Sequence, residues 1–114
     1  MSNQVDVAKR VDMFVKTMKD NGINANLDTM IFDPKEGISR YVIELDNLSD
    51  ENTNKLNKIL EMAQFTPKGT KKMPSGTDAN VYERREGSDI CELLIVRDKN
   101  NQRKANIIIN VKNT

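Results

Sequence analysis

The chain has no histidine and a single cysteine, and these two facts govern most of the chemistry open to it. Without imidazole there is no Ser-His-Asp or Cys-His nucleophilic system. Proton shuttling by histidine near neutral pH and most zinc sites are also absent. One thiol supplies no thiolate cluster and no internal disulfide. Cys91 falls between Ile90 and Glu92 in an apolar run. A reactive thiol needs a helix N-terminus or cationic neighbours to lower its pKa, so Cys91 is expected to be a buried structural residue.

The acids Asp46, Asp50 and Glu51 cluster ahead of a helical segment, but the calcium-loop spacing, with its central glycine and terminal glutamate, is missing. Helix capping accounts for them. The stretch from Gly69 to Gly76 holds glycine and lysine but lacks the Gly-Lys-Ser/Thr ending of a phosphate-binding loop, and a strand pattern follows it. Nucleotide hydrolysis is therefore not expected. Nor is a cofactor, a metal or a catalytic residue.

The remaining chemistry-bearing groups are basic. Lys68, Lys71 and Lys72 lie in one segment, and Arg84, Arg85, Lys99, Arg103, Lys104 and Lys112 follow. Such groups suit contact with phosphates or with an acidic protein, and strand-edge lysines also discourage edge-to-edge pairing. We take Lys68, Lys71, Lys72, Arg84, Arg85, Arg103 and Lys104 as the candidate partner-binding set. Aromatic stacking for single-stranded nucleic acid would have to come from Tyr41 or Tyr82.

Elements must position these groups. Val7, Val11, Phe14 and Met18 recur at helical spacing, flanked by Val5, Ala8 and Val15, and Asp20-Asn21-Gly22 supplies a stop. This predicts a helix over about residues 3–20. Ile23, Ala25, Leu27, Thr29 and Ile31 then share one parity, with Met30 and Phe32 on the other. Asp33 to Gly37 forms a turn, and Ile38 to Leu45 resumes the alternation, which makes a β-hairpin. Ser49 is an N-cap for a second helix at about 50–64, with Leu56, Ile59, Leu60 and Ala63 inward, stopped by Pro67.

Residues 66–78 carry two Pro, two Gly and three Lys and are expected to form the longest loop. Strands follow over Ala79–Arg85, Ile90–Arg97 and Arg103–Lys112, separated by turns at 86–89 and 98–102. The run Leu93-Leu94-Ile95-Val96 suits a central strand covered on both faces. The expected fold is α+β, one two-layer domain over residues 1–114, in the order α-β-β-α-β-β-β. It has a five-stranded, mostly antiparallel sheet and two helices on one face. This element order resembles that of roadblock-type dynein light chains and of profilin-like folds generally.

At 114 residues the chain is long enough for one modest core. Hydrophobic residues make up 37% and charged residues 31%, yet the net charge is only +1, so folding rather than disorder is expected. Residues 1–64 hold eight Lys/Arg against eleven Asp/Glu, and residues 65–114 hold ten against six, giving −3 and +4. A protein dependent on phosphate contacts is usually more basic. The lone cysteine fits a reducing compartment. We read no apolar signal-peptide core near Met1-Ser2-Asn3-Gln4 and no span of the length a membrane requires, so the expected localisation is cytoplasmic. The match of Asn47-Leu48-Ser49 to a glycosylation acceptor is then idle.

The resulting expectation is a non-catalytic binding protein that docks stoichiometrically on a protein partner. This style of small, Asn- and Lys-rich chain suits a phage or mobile-element accessory factor or an inhibitor of a host system. The alternative is a nucleic-acid-binding protein using the 66–78 loop and the C-terminal sheet. An enzyme built from Asp, Glu, Lys or Tyr groups gathered only in space ranks below both. The sequence leaves oligomeric state open.

Overall fold

The computed structural model describes residues 4–112. Helix α1 spans Gln4–Asp20 and buries Val7, Val11, Val15 and Met18, the stripe its spacing predicts. Residue 3 and the side chain of Val5, both included in that reading, lie outside what is described. Strands β1 (Ala25–Asp33) and β2 (Ile38–Leu45) form the expected hairpin.

Helix α2 runs Asp50–Met62, with Ser49 Oγ accepting the Asn52 N–H at 3.2 Å. It stops short of residue 64 because Gln64 takes a left-handed φ of 65°. There the Gln64 N–H donates to the Glu61 carbonyl and the Phe65 N–H to the Leu60 carbonyl, closing the end as a Schellman motif.

The segment expected as a loop is largely a strand. Strand β3 covers Thr66–Lys72 and pairs antiparallel with β4 (Asp78–Glu86), and only the short turn between them is irregular. All seven β3 residues are exposed, so no apolar alternation marks the strand. With β5 (Asp89–Arg97) and β6 (Ala105–Lys112) the element order is α-β-β-α-β-β-β-β. The sheet has six strands rather than five, every pairing is antiparallel, and the spatial order is β1-β2-β6-β5-β4-β3. Strand β6 begins two residues later than expected, which leaves Arg103 and Lys104 in the preceding turn.

One face of this sheet carries the core. Tyr41, Ile43 and Leu45 of β2 pair across to Ile109, Ile107 and Ala105 of β6, and those pair on to Leu93, Ile95 and Arg97 of β5. All of these but Arg97 join the inward residues of both helices in one buried cluster. The opposite face bears a row formed by Val42, Ile108, Leu94 and Val81. No helix covers this row, but Leu94 is buried, flanked by aliphatic neighbours on both adjoining strands. Strand β5 is thus interior to the sheet, as its apolar run suggests, with Leu93 and Ile95 buried by the core on one face and Leu94 by its strand neighbours on the other.

Two polar side chains lock the junctions between layers. Asn47 Oδ1 accepts the Asn24 N–H at 2.8 Å, and its Nδ2 donates to the Gly22 carbonyl at 2.9 Å. The amide thus joins the α1–β1 turn to the β2–α2 turn, which gives Asn47 a structural role. Arg97 donates to the Leu48 carbonyl (3.1 Å), the Gln102 carbonyl (2.6 Å) and the Thr53 hydroxyl (2.8 Å). One guanidinium therefore holds β5, the β5–β6 turn and the first turn of α2 together.

Candidate partner-binding site

A finite sheet has two edges, and here they differ in chemistry. At one edge β3 presents Lys68, Lys71 and Lys72, contains Pro67, which lacks an N–H, and shifts register between Pro67 and Gly69. Charge, proline and a bulge are the devices that make an edge unattractive to another strand.

The other edge is β1, which among the described residues pairs with β2 alone. A bulge lies between Leu27 and Thr29. The extra residue resets the alternation, so Met30 and Phe32 fall opposite Tyr41 and Ser39 on the helix-bearing face. Ile31, read from sequence as sharing a face with Leu27, lies on the other side opposite Arg40. Met30 is 61% exposed, Ile31 53% and Phe32 43%. With Leu27 these make up most of the large exposed apolar residues found among those described. These exposed apolar side chains are adjacent on one edge strand, Met30 and Phe32 on the helix-bearing face and Ile31 on the other, whereas Met13 and Met62 lie on the helices.

The sequence-predicted basic set is divided. Lys68, Arg84 and Arg85 line one small hollow together with Glu83. Arg85 is paired there with Glu83 at 3.2 Å, and Arg84 with Glu86 at 3.5 Å. Lys71 and Lys72 sit further along β3, while Arg103 and Lys104 project from the β5–β6 turn. The seven residues thus fall on the edge strand β3, on its neighbour β4 and in the β5–β6 turn.

The tyrosines offer no stacking platform. Tyr41 is buried, and Tyr82 packs against the core with its hydroxyl 3.3 Å from Asn57 Oδ1 on α2. Burial raises the pKa of both phenols, with a nearby Asp12 carboxylate adding to the effect at Tyr41 and a Ser39 hydrogen bond opposing it.

Two further concavities complete the surface. A hollow of about 730 Å3 opens at the end of the sheet where β2 and β5 finish, lined by polar groups that include Asn26, Glu44, Thr77, Asp98, Lys104 and Asn106. Residues of β1 and of the β3–β4 turn face this same space, so the sheet is coiled enough to bring its two flanks toward each other. A cleft of about 100 Å3 lies between α1 and the core face, where Phe14, Phe65, Cys91 and Val111 meet. Cys91 is half-buried there, and desolvation pushes its thiol up to about 11 although Arg84 and Arg10 pull it down. A thiol so held is protonated at neutral pH and a poor nucleophile. Among the described residues no group of three Cys, Asp or Glu side chains is arranged to hold a metal ion, and no helix is long and apolar enough to cross a membrane.

No family model, curated protein or solved structure matches this chain.

Sequence reasoning missed the β1 edge. The signal was the consecutive trio Met30-Ile31-Phe32, which reads equally well as a covered central strand until strand order places it outermost.

Proposed function

We propose that this protein is a non-catalytic docking module that binds a protein partner stoichiometrically through the β1 edge. The supporting observation is the contrast between edges: β3 carries three lysines, a proline and no large apolar side chain, whereas β1, which like β3 has one bulge, leaves Met30, Ile31 and Phe32 in solvent. The division and partial neutralisation of the basic set, with both tyrosines turned into the core, favour a protein partner over nucleic acid.

The test compares the wild-type chain with a Met30→Ser/Phe32→Ser variant as baits in a lysate of cells that express the protein naturally. A stoichiometric partner retained by the wild type and lost by an equally folded variant is expected. Equal recovery by both baits would remove β1 as the docking surface.

A further inference from the structure

We infer that the occupant of the β1 edge, if β1 is the docking surface as proposed above, is an extended segment of the partner that adds a seventh strand. Its side chains alternate apolar and polar, and it carries Lys or Arg at its ends. Backbone geometry supplies the first part. Because among the described residues β1 has a neighbour on one side only, alternate N–H and C=O groups along it point away from β2 and have no ladder partner there. Past the bulge the register with β2 is unbroken from Thr29 to Asp33, which provides a straight landing stretch. An added strand meets such an edge through main-chain hydrogen bonds and places every second side chain beside Met30 and Phe32.

Charge supplies the second part. Strand β1 contains two ionisable residues, Asp28 and Asp33, and no base. Asp12 of α1 adds a third carboxylate on the helix side, near enough to Tyr41 to affect its titration, and Tyr41 is the residue paired with Met30. The Asp28 carboxylate accepts the Thr29 hydroxyl, and Asp33 Oδ1 accepts the Lys35 N–H, bonds that leave the negative charges in place. Arg40, paired with Ile31, donates to the neutral Asn110 Oδ1 at 2.8 Å and so keeps its positive charge, but on the face away from Met30 and Phe32, and Lys35 lies in the turn beyond the strand. The ionisable side chains of β1 itself are therefore both acidic, toward the two ends of its apolar stretch, with Asp12 adding to them on the helix side and Arg40 offsetting them in part on the other, and a segment with basic ends complements it.

The same features argue against a second copy of the chain. Pairing β1 with another β1 brings two sets of carboxylates together. Pairing it with β3 meets the charge but sets Met30 and Phe32 against Thr66–Lys72, which has no large apolar side chain.

The test uses the full chain and two labelled peptides, Lys-Val-Thr-Val-Thr-Val-Lys and the same core with Glu at both ends, read by fluorescence anisotropy and by amide hydrogen exchange. The Lys-ended peptide is expected to bind about tenfold more tightly, to lose affinity with added salt and to protect amides within residues 25–33. N-methylation of alternate peptide amides is expected to abolish binding, and Asp28→Lys to narrow or invert the preference. Asp12→Asn is expected to narrow it as well, which keeps the test decisive should the strand variant fold poorly.

Equal affinity for the two peptides, protection outside β1, or protection of β1 amides that grows with concentration of the protein alone would each overturn the inference. If the peptides fail while the Met30→Ser/Phe32→Ser bait still loses its natural partner, the occupant is wrong and the docking surface stands. If that bait keeps its partner, the docking surface falls.

Discussion

Replacing Arg97 by methionine removes a clamp while keeping most of the apolar length of the side chain, so it isolates the contribution of the guanidinium. Three acceptors lose their donor: the carbonyls of Leu48 and Gln102 and the Thr53 hydroxyl. Hydrogen bonds from a charged donor contribute about 1.5–3 kcal/mol when desolvated, but Arg97 is only half-buried and water can reach part of what is uncovered, so about 1 kcal/mol for each is the better scale. The expected loss is therefore roughly 2–3 kcal/mol in total. For a domain near this size each kcal/mol lowers the Tm by roughly 4 °C, which places the fall at about 8–12 °C. Thermal unfolding followed by circular dichroism reads this directly, and urea titration should show a lower midpoint with an unchanged slope. Arg97→Lys should recover little, because one ammonium cannot span three acceptors in fixed directions. Arg103→Ala, an exposed change in the same region, serves as the control and should leave the Tm within about 2 °C. A Tm for Arg97→Met within that control range would show that the clamp contributes nothing and that the reasoning about the α2 junction is wrong.

Asn47→Asp keeps the acceptor for the Asn24 N–H but sets a carboxylate against the Gly22 carbonyl, and should destabilise by about 1–3 kcal/mol in the same unfolding assay. Gln64→Gly relieves the left-handed φ of 65° and should stabilise by about 0.5 kcal/mol, the strain removed being partly offset by greater freedom of the unfolded chain. Cys91 should react with iodoacetamide at pH 8 roughly 100-fold more slowly than an ordinary thiol, since its pKa stands at about 11 rather than 9.0. Because folding raises this pKa, the native state holds the proton longer. The associated stability is complete below pH 9.0 and declines as the pH rises toward 11, which urea midpoints across that window would show.

Both helices could be read from the sequence because each buries one stripe against a core, and the spacing of Val7, Val11, Val15 and Met18 or of Leu56 and Leu60 records that burial. Ser49 marked the start of α2 for the same reason that it caps it. Strand β3 left no such record, since Thr66–Lys72 buries nothing and hydrophobic periodicity reports only what is buried. The bulge in β1 was equally silent, and one inserted residue moved Ile31 and Phe32 to the faces opposite those the alternation implied. For the candidate site, the basic residues were visible as a composition, but their separation depends on strand order. Arg97 gave no signal, because two of its three partners are backbone carbonyls.

The position of β6 sets a constraint on how the molecule is assembled. It is synthesised after every other described strand, yet it lies between β2 and β5 and is hydrogen-bonded to both. Until residues 105–112 leave the ribosome, the β1–β2 hairpin and the β3–β4–β5 meander are two separate pieces. The inner flanks of β2 and β5 stay open, and Ile43 and Leu93 lack the isoleucines that later cover them. The final strand thus acts as a zipper that both closes the sheet and hides its stickiest edges. A fragment ending before Ala105 should aggregate, and a peptide of residues 103–112 added during refolding should rescue its solubility.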